Sequence, residues 1–302
     1  MSEQFNESAF HESDILFWSE VISKHIWYIG LSLEKLCYKE QANLIYCKWR
    51  EFIPTLPTRY SCDGYWDYEV YGRSKENYIT GKNVDDFNTL NNSSRYFVRQ
   101  ILNDITNCVQ NYPNCPKAWY GFAYPSYLES VLRRIAYAKA KVNCDDICDN
   151  TTVKFWNKNG YDNLFTIIHL LDPSEHQFIQ IAYKLAWRFK KNLGKEDCKS
   201  FEKCARENAK KLDELFRTFY CLLVKNDIRS IIHPAFLNVL LREGQRALKD
   251  ITWLYCDKRK KCCKDTNECC LGLEDFEKYV KDECNKCCKD PEPIRVKKCK
   301  HE

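Results

Sequence analysis

Glycine and proline are scarce, with nine of each in 302 residues, roughly half the usual share. A long chain so poor in turn-formers builds long helices. Sandwiches, barrels, collagen-like repeats and Pro-rich disorder are therefore excluded. No apolar run approaches the ~18–20 residues that a membrane-spanning helix needs. The stretch from Met1 to Asp14 is polar and acidic and has no secretory-signal pattern, so the expected compartment is the cytoplasm, or a virus particle if the chain is of viral origin. A Gly-rich phosphate loop, a Gly-x-Ser-x-Gly elbow and a His-Glu-x-x-His helix are all missing, and no local signature selects a cysteine nucleophile. An excess of one charge is missing too: 47 basic and 42 acidic residues leave +5, with the signs interspersed. A nucleic-acid partner would call for a clustered basic face. Neither nucleic acid nor membrane is expected as a partner.

Apolar residues are plentiful. Hydrophobic residues make up 44% of the chain and aromatics 14%, enough to bury a large core and to exclude bulk disorder. The length suits about two domains. From Ser13-Asp14, read as a cap, the pattern predicts a helix with Phe17, Val21, Ile22, His25, Ile26 and Ile29 at helical spacing. Further helices are predicted over about 39–53, 84–110 and 117–142, with a long ordered loop rich in tyrosine over 54–83.

After Asn143 the pattern restarts. Phe155-Trp156 repeats Phe17-Trp18, and the segment from His233-Pro234 to Leu241-Arg242-Glu243 matches that from Tyr124-Pro125 to Leu132-Arg133-Arg134 position for position. Proline opens a helix well at its first turn, where its missing N–H costs nothing. Two copies of a four-helix unit are the simplest account. The predicted division is residues 1–143, residues 144–256, and a Cys-rich tail over 257–302.

Cysteine is the anomaly. Of the 19, ten are widely spaced from Cys37 to Cys221, and nine crowd into the 44 residues from Cys256 to Cys299. The first ten fit small core hydrophobes. In the tail, Cys284-x-x-Cys287 has the spacing with which one turn holds a tetrahedral zinc, with Cys288 alongside. The doublets Cys262-Cys263 and Cys269-Cys270 supply further thiolates. Neighbouring lysines favour the thiolate form. Zinc, a disulfide-stapled cap and free reactive thiols remain as three readings. The spacing of Leu273, Phe276, Tyr279 and Val280 predicts an amphipathic helix over 272–288.

Three segments carry a resemblance: Phe17-Trp18 with His25-Ile26-Trp27-Tyr28-Ile29, then Leu170-Leu171-Asp172-Pro173-Ser174-Glu175, and Pro234 with Leu241-Arg242-Glu243. Over about residues 12–256 the chain resembles a family of bacterial proteins of unknown function made of tandem ferritin-like four-helix bundles. The resemblance implies an all-α fold of two up-down bundles. It also implies, in each bundle, an acidic-His pair on the first helix and an Asp-His pair followed four residues later by Glu on the last. Such ligands, one turn apart on a helix face, bind iron- or manganese-type ions.

The chain departs from that pattern. Lys24-His25 and Asp162-Asn163 stand at the acidic-His positions. Glu129-Ser130 and Asn238-Val239 stand at Asp-His, and Arg134 and Glu243 at the final Glu. His25, Glu129 and Glu243 are the residual candidates for a bundle metal, and a di-metal centre is not expected. A lone His25 on an apolar helix is better explained as a hydrogen-bonded core residue, and Glu243 as paired with a basic side chain or an amide. The expected function is a non-catalytic structural or interaction protein with protein partners or self-association. Abundant Lys, Asn, Ile and Tyr with little Ala and Gly fits an AT-rich genome, and a virus-particle component is one concrete form of that role. A metal-binding protein, with zinc in the tail or a residual bundle site, is the alternative, and an oxidase-like metalloenzyme the third reading.

Overall fold

The computed structural model describes residues 7–56, 80–110, 124–193 apart from 144, 146 and 148, and 201–262. Among these the chain is all-helical: α1 (Glu7–Ser32), α2 (Leu36–Phe52), α3 (Gly81–Gln110), α4 (Pro125–Val142), α5 (Asp149–Leu170), α6 (His176–Leu193), α7 (Phe201–Val224) and α8 (Pro234–Cys262), with 3₁₀ turns at Ile53–Thr55 and Pro173–Glu175. None of these helices is long and apolar enough to cross a membrane.

Local chemistry sets several of the starts. Pro125 and Pro234 open α4 and α8. Thr80 caps α3: its backbone N–H donates to Asn83 Oδ1 (2.9 Å), and the Asn83 N–H donates back to Thr80 Oγ1 (3.3 Å), a reciprocal cap. Asp172 accepts from the Ser174 N–H at 2.8 Å. One expectation needs correcting. Helix α1 begins at Glu7, so Asp14 is no cap; it is buried and ion-paired to Arg246. Helix α8 runs to Cys262. Most of the loop predicted over 54–83, and the tail from Cys263 on, lie outside the described residues.

Helix α1 packs against α2, α3 and α4, and α5 against α6, α7 and α8; α2 meets α3, α3 meets α4, α6 meets α7 and α7 meets α8. The first four helices and the last four meet where α1 touches α8 and α4 touches α5. Helices α1 and α5 are buried on most sides, so α1 encloses polar side chains such as Asp14, Glu20 and His25 along with its apolar ones. One continuous apolar core runs through all eight helices.

Candidate functional site: a buried ionic centre between the two sets of helices

Polar side chains interrupt that core where α1, α4, α5 and α8 converge. Helix periodicity places Tyr127, Ser130 and Arg134 on one face of α4, and Asn159 and Asn163 on one face of α5. His25 comes from α1 and Glu243 from α8. His25 and Glu243 are 0% exposed and Arg134 1%.

Glu243 is the hub. Its Oε1 accepts from Arg134 Nε at 2.6 Å and faces His25 Nε2 at 3.3 Å. Its Oε2 accepts from Arg134 Nη2 at 3.0 Å, Asn163 Nδ2 at 2.8 Å and Asn159 Nδ2 at 3.2 Å. The guanidinium thus grips the carboxylate with two parallel bonds, the strong geometry for this pair. Arg134 Nη1 donates to Ser130 Oγ at 2.8 Å, and Nη2 also meets Asn163 Oδ1. The second ring nitrogen of His25, Nδ1, lies 2.9 Å from the Tyr127 hydroxyl.

Protonation follows from these partners. Burial opposes charge on Glu243, but the Arg134 cation and the His25 hydrogen bond outweigh it and hold the carboxyl well below the usual carboxylate range. For His25, burial and the neighbouring Arg134 charge lower the pKa against the pull of Glu243, so the ring is neutral. A carboxylate only accepts, so Nε2 carries the hydrogen towards Glu243 and Nδ1 accepts from Tyr127. Burial pushes the Tyr127 hydroxyl well above its ordinary value, so it keeps that proton. Burial also acts against Arg134, and Glu243 overrides it and raises its pKa.

Equivalent positions of the two sequence repeats meet each other here. Arg134 and Glu243 align with one another, and they pair. Trp18 aligns with Trp156, and their rings stack at 5.8 Å and 15°. Tyr137 stacks on Phe155 at 3.7 Å, while at the equivalent places the Arg246 guanidinium lies 5.2 Å from the Phe17 ring centroid. Further ion pairs line the same junction. Glu20 pairs with Arg242. Arg246 joins Asp14 and, at 2.8 Å, Asp250. Asp250 in turn accepts from Trp156 Nε1 at 2.9 Å.

Of the predicted site residues, the structure brings His25 and Glu243 together. Glu129 does not join them: it is exposed, because one residue's step round a helix turns it away while Ser130 faces the core. Asp162 sits off the centre, bonded to Arg133 and Lys158. Cys262 is the last residue of α8, and Cys263, Cys269, Cys270, Cys284, Cys287 and Cys288 lie outside the described residues. Sequence reasoning missed Asn159, Tyr127 and the Asp14–Arg246–Asp250 set. The available signal was a polar side chain repeating every three or four residues on an otherwise apolar helix face.

The donors at the centre do not fit a ferritin-type metal pair. A single carboxylate and a single imidazole converge, and both carboxylate oxygens are held by Arg134. Among the described residues no three His, Cys, Asp or Glu side chains gather as a metal would need. The site is charge-balanced and every named group has a partner.

No known family model matches the chain. It is 21% identical over 267 residues to an uncharacterized protein of Acanthamoeba polyphaga mimivirus, covering 80% of each. Among solved structures it is similar to an uncharacterized protein from Bacillus cereus G9241, with a TM-score of 0.67 and 11% identity over 84% of this chain and 92% of that one. That likeness supports the helical fold.

Proposed function

We propose that this chain is a non-catalytic structural or interaction protein on two tandem ferritin-like bundles, in which an ion pair has taken the place of metal. One observation carries the reading. At aligned positions where the resemblance implies two metal-binding carboxylates, the chain has Arg134 and Glu243, and these are buried together in bidentate contact. A guanidinium supplies the positive charge that the carboxylate requires, without a cation. The neutral His25 and protonated Tyr127 are locked in hydrogen bonds, so neither is a free acid or base. What remains is shape and surface, and the partners are other proteins or further copies of the chain. A component of a virus particle is the concrete form we favour, and similarity to a mimivirus protein supports the viral setting of that form.

The crowding of nine cysteines into 44 residues supports a second reading, a metal-binding protein with zinc held in the tail. Elemental analysis of the purified full-length protein tests both. Iron or manganese retained in proportion to protein would overturn the ion-pair reading. Zinc in proportion to protein supports the tail site. Thiol labelling with and without reductant then separates zinc from disulfides and from free thiols.

A further inference from the structure

The outer face of α6 and α7 carries a groove of about 380 Å³. Ile181, Leu185 and Leu215 form its apolar floor, and Lys184, Arg188 and Lys211 its rim, with Glu214 the one acidic lining residue. Ile181 is 43% exposed and Trp187, on the same helix, 64%. Helix α6 contains no acidic residue at all. The groove between α2 and α3 has similar size, about 430 Å³, but its only charged lining residue is Lys48. Of these two grooves, charge favours the α6/α7 groove as a place for an acidic, amphipathic segment.

The chain contains such a segment beyond the described residues. Over 273–283, Leu273, Phe276 and Val280 recur at helical spacing, and Glu274, Asp275, Glu277, Asp282 and Glu283 outnumber Lys278 and Lys281. The tether is long enough. Gly244 of α8 lies beside Leu212 and Phe216 of α7, so the end of α8 at Cys262 lies about 22 Å along the axis beyond Lys211 at 1.5 Å per residue. Residues 263–272 span up to about 33 Å.

We propose that residues 273–283 dock in the α6/α7 groove of their own chain, with Leu273, Phe276 and Val280 on the apolar floor and the acidic flank against Lys184, Arg188 and Lys211. This is the helix-in-groove mode of recognition, used here within one chain to seat the Cys-rich tail on the helices. It goes beyond the non-catalytic reading and does not depend on it.

Zero-length carbodiimide cross-linking of the full-length protein tests it, on a mixture of isotopically light and heavy chains, with peptides identified by mass spectrometry. The expected products join Lys184 or Lys211 to acidic residues of 273–283, with no mixing of isotopes. Phe276→Asp, in the tail, and Ile181→Asp, at an exposed position, should each cut their yield about tenfold while leaving the thermal melt of the helices unchanged. Isotopically mixed products would place the segment on a second copy and overturn the proposal. So would cross-links from these lysines to other acidic segments, or none. Retained iron or manganese would sink the non-catalytic reading and leave these products unchanged, so the two fail separately.

Discussion

Glu243 receives five polar contacts on two oxygens, four of them from Arg134, Asn159 and Asn163, and a buried carboxylate so held is costly to disturb. Glu243→Gln leaves the Arg134 charge buried without its partner, and Arg134→Met leaves Glu243 in the same state. Each should lose about 3–5 kcal/mol in denaturant unfolding. The double variant should lose less than the sum of the two by about 1–3 kcal/mol, because it removes both charges together. Additive losses would show that the pair is not coupled. The pH dependence follows from the same centre. The folded protein keeps His25 neutral, whereas the unfolded chain protonates it near the ordinary value of 6.5. The unfolded state therefore binds more protons below that pH, and stability falls as pH drops below about 6.5. The depressed pKa of Glu243 acts in the same direction lower down: its contribution is present above the ordinary carboxylate range and is lost as pH falls through the folded value. The melting temperature should decline from pH 7.5 to pH 5, and His25→Gln should flatten that decline. An unchanged slope in His25→Gln would assign the effect elsewhere.

Among the elements, α5 shows how close the helices come. A Cβ built on Gly160 would meet the Phe189 ring of α6 at 2.7 Å. Gly160→Ala should therefore destabilise by about 1–3 kcal/mol, despite the gain in helix propensity. At Gly244 of α8 the nearest atoms would lie 3.8 Å away, an ordinary contact. Gly244→Ala should stabilise by up to about 1 kcal/mol, so the two melts should move in opposite directions. The elements themselves were largely legible in the sequence, because apolar spacing and Pro125 and Pro234 are local signals. The start of α1 was not. Ser13-Asp14 has the chemistry of a cap, but Asp14 is needed by Arg246, a residue of the last helix, and no local rule reports that.

At the scale of the whole molecule, one apolar core and one ionic centre tie α1–α4 to α5–α8. The protein should unfold in a single calorimetric transition, with equal van't Hoff and calorimetric enthalpies. Arg134→Met should lower amide-exchange protection in α1 and α8 alike, although the substitution is in α4. Loss confined to α1–α4 would mean that the two sets of helices unfold independently.

The sequence by itself determined that the chain is helical, where most helices run, that one pattern occurs twice, and that His25 and Glu243 stand at unusual polar positions within it. Each of these depends on spacing along the backbone, which periodicity and helix-start chemistry record. Only the tertiary structure decided that the aligned positions of both repeats share one centre, that Arg134 is the partner of Glu243, and that Glu129 faces outward. Those facts depend on which helix faces pack against each other across more than a hundred residues of chain. Long-range packing is set by the fit of whole surfaces, and no short stretch of sequence contains it.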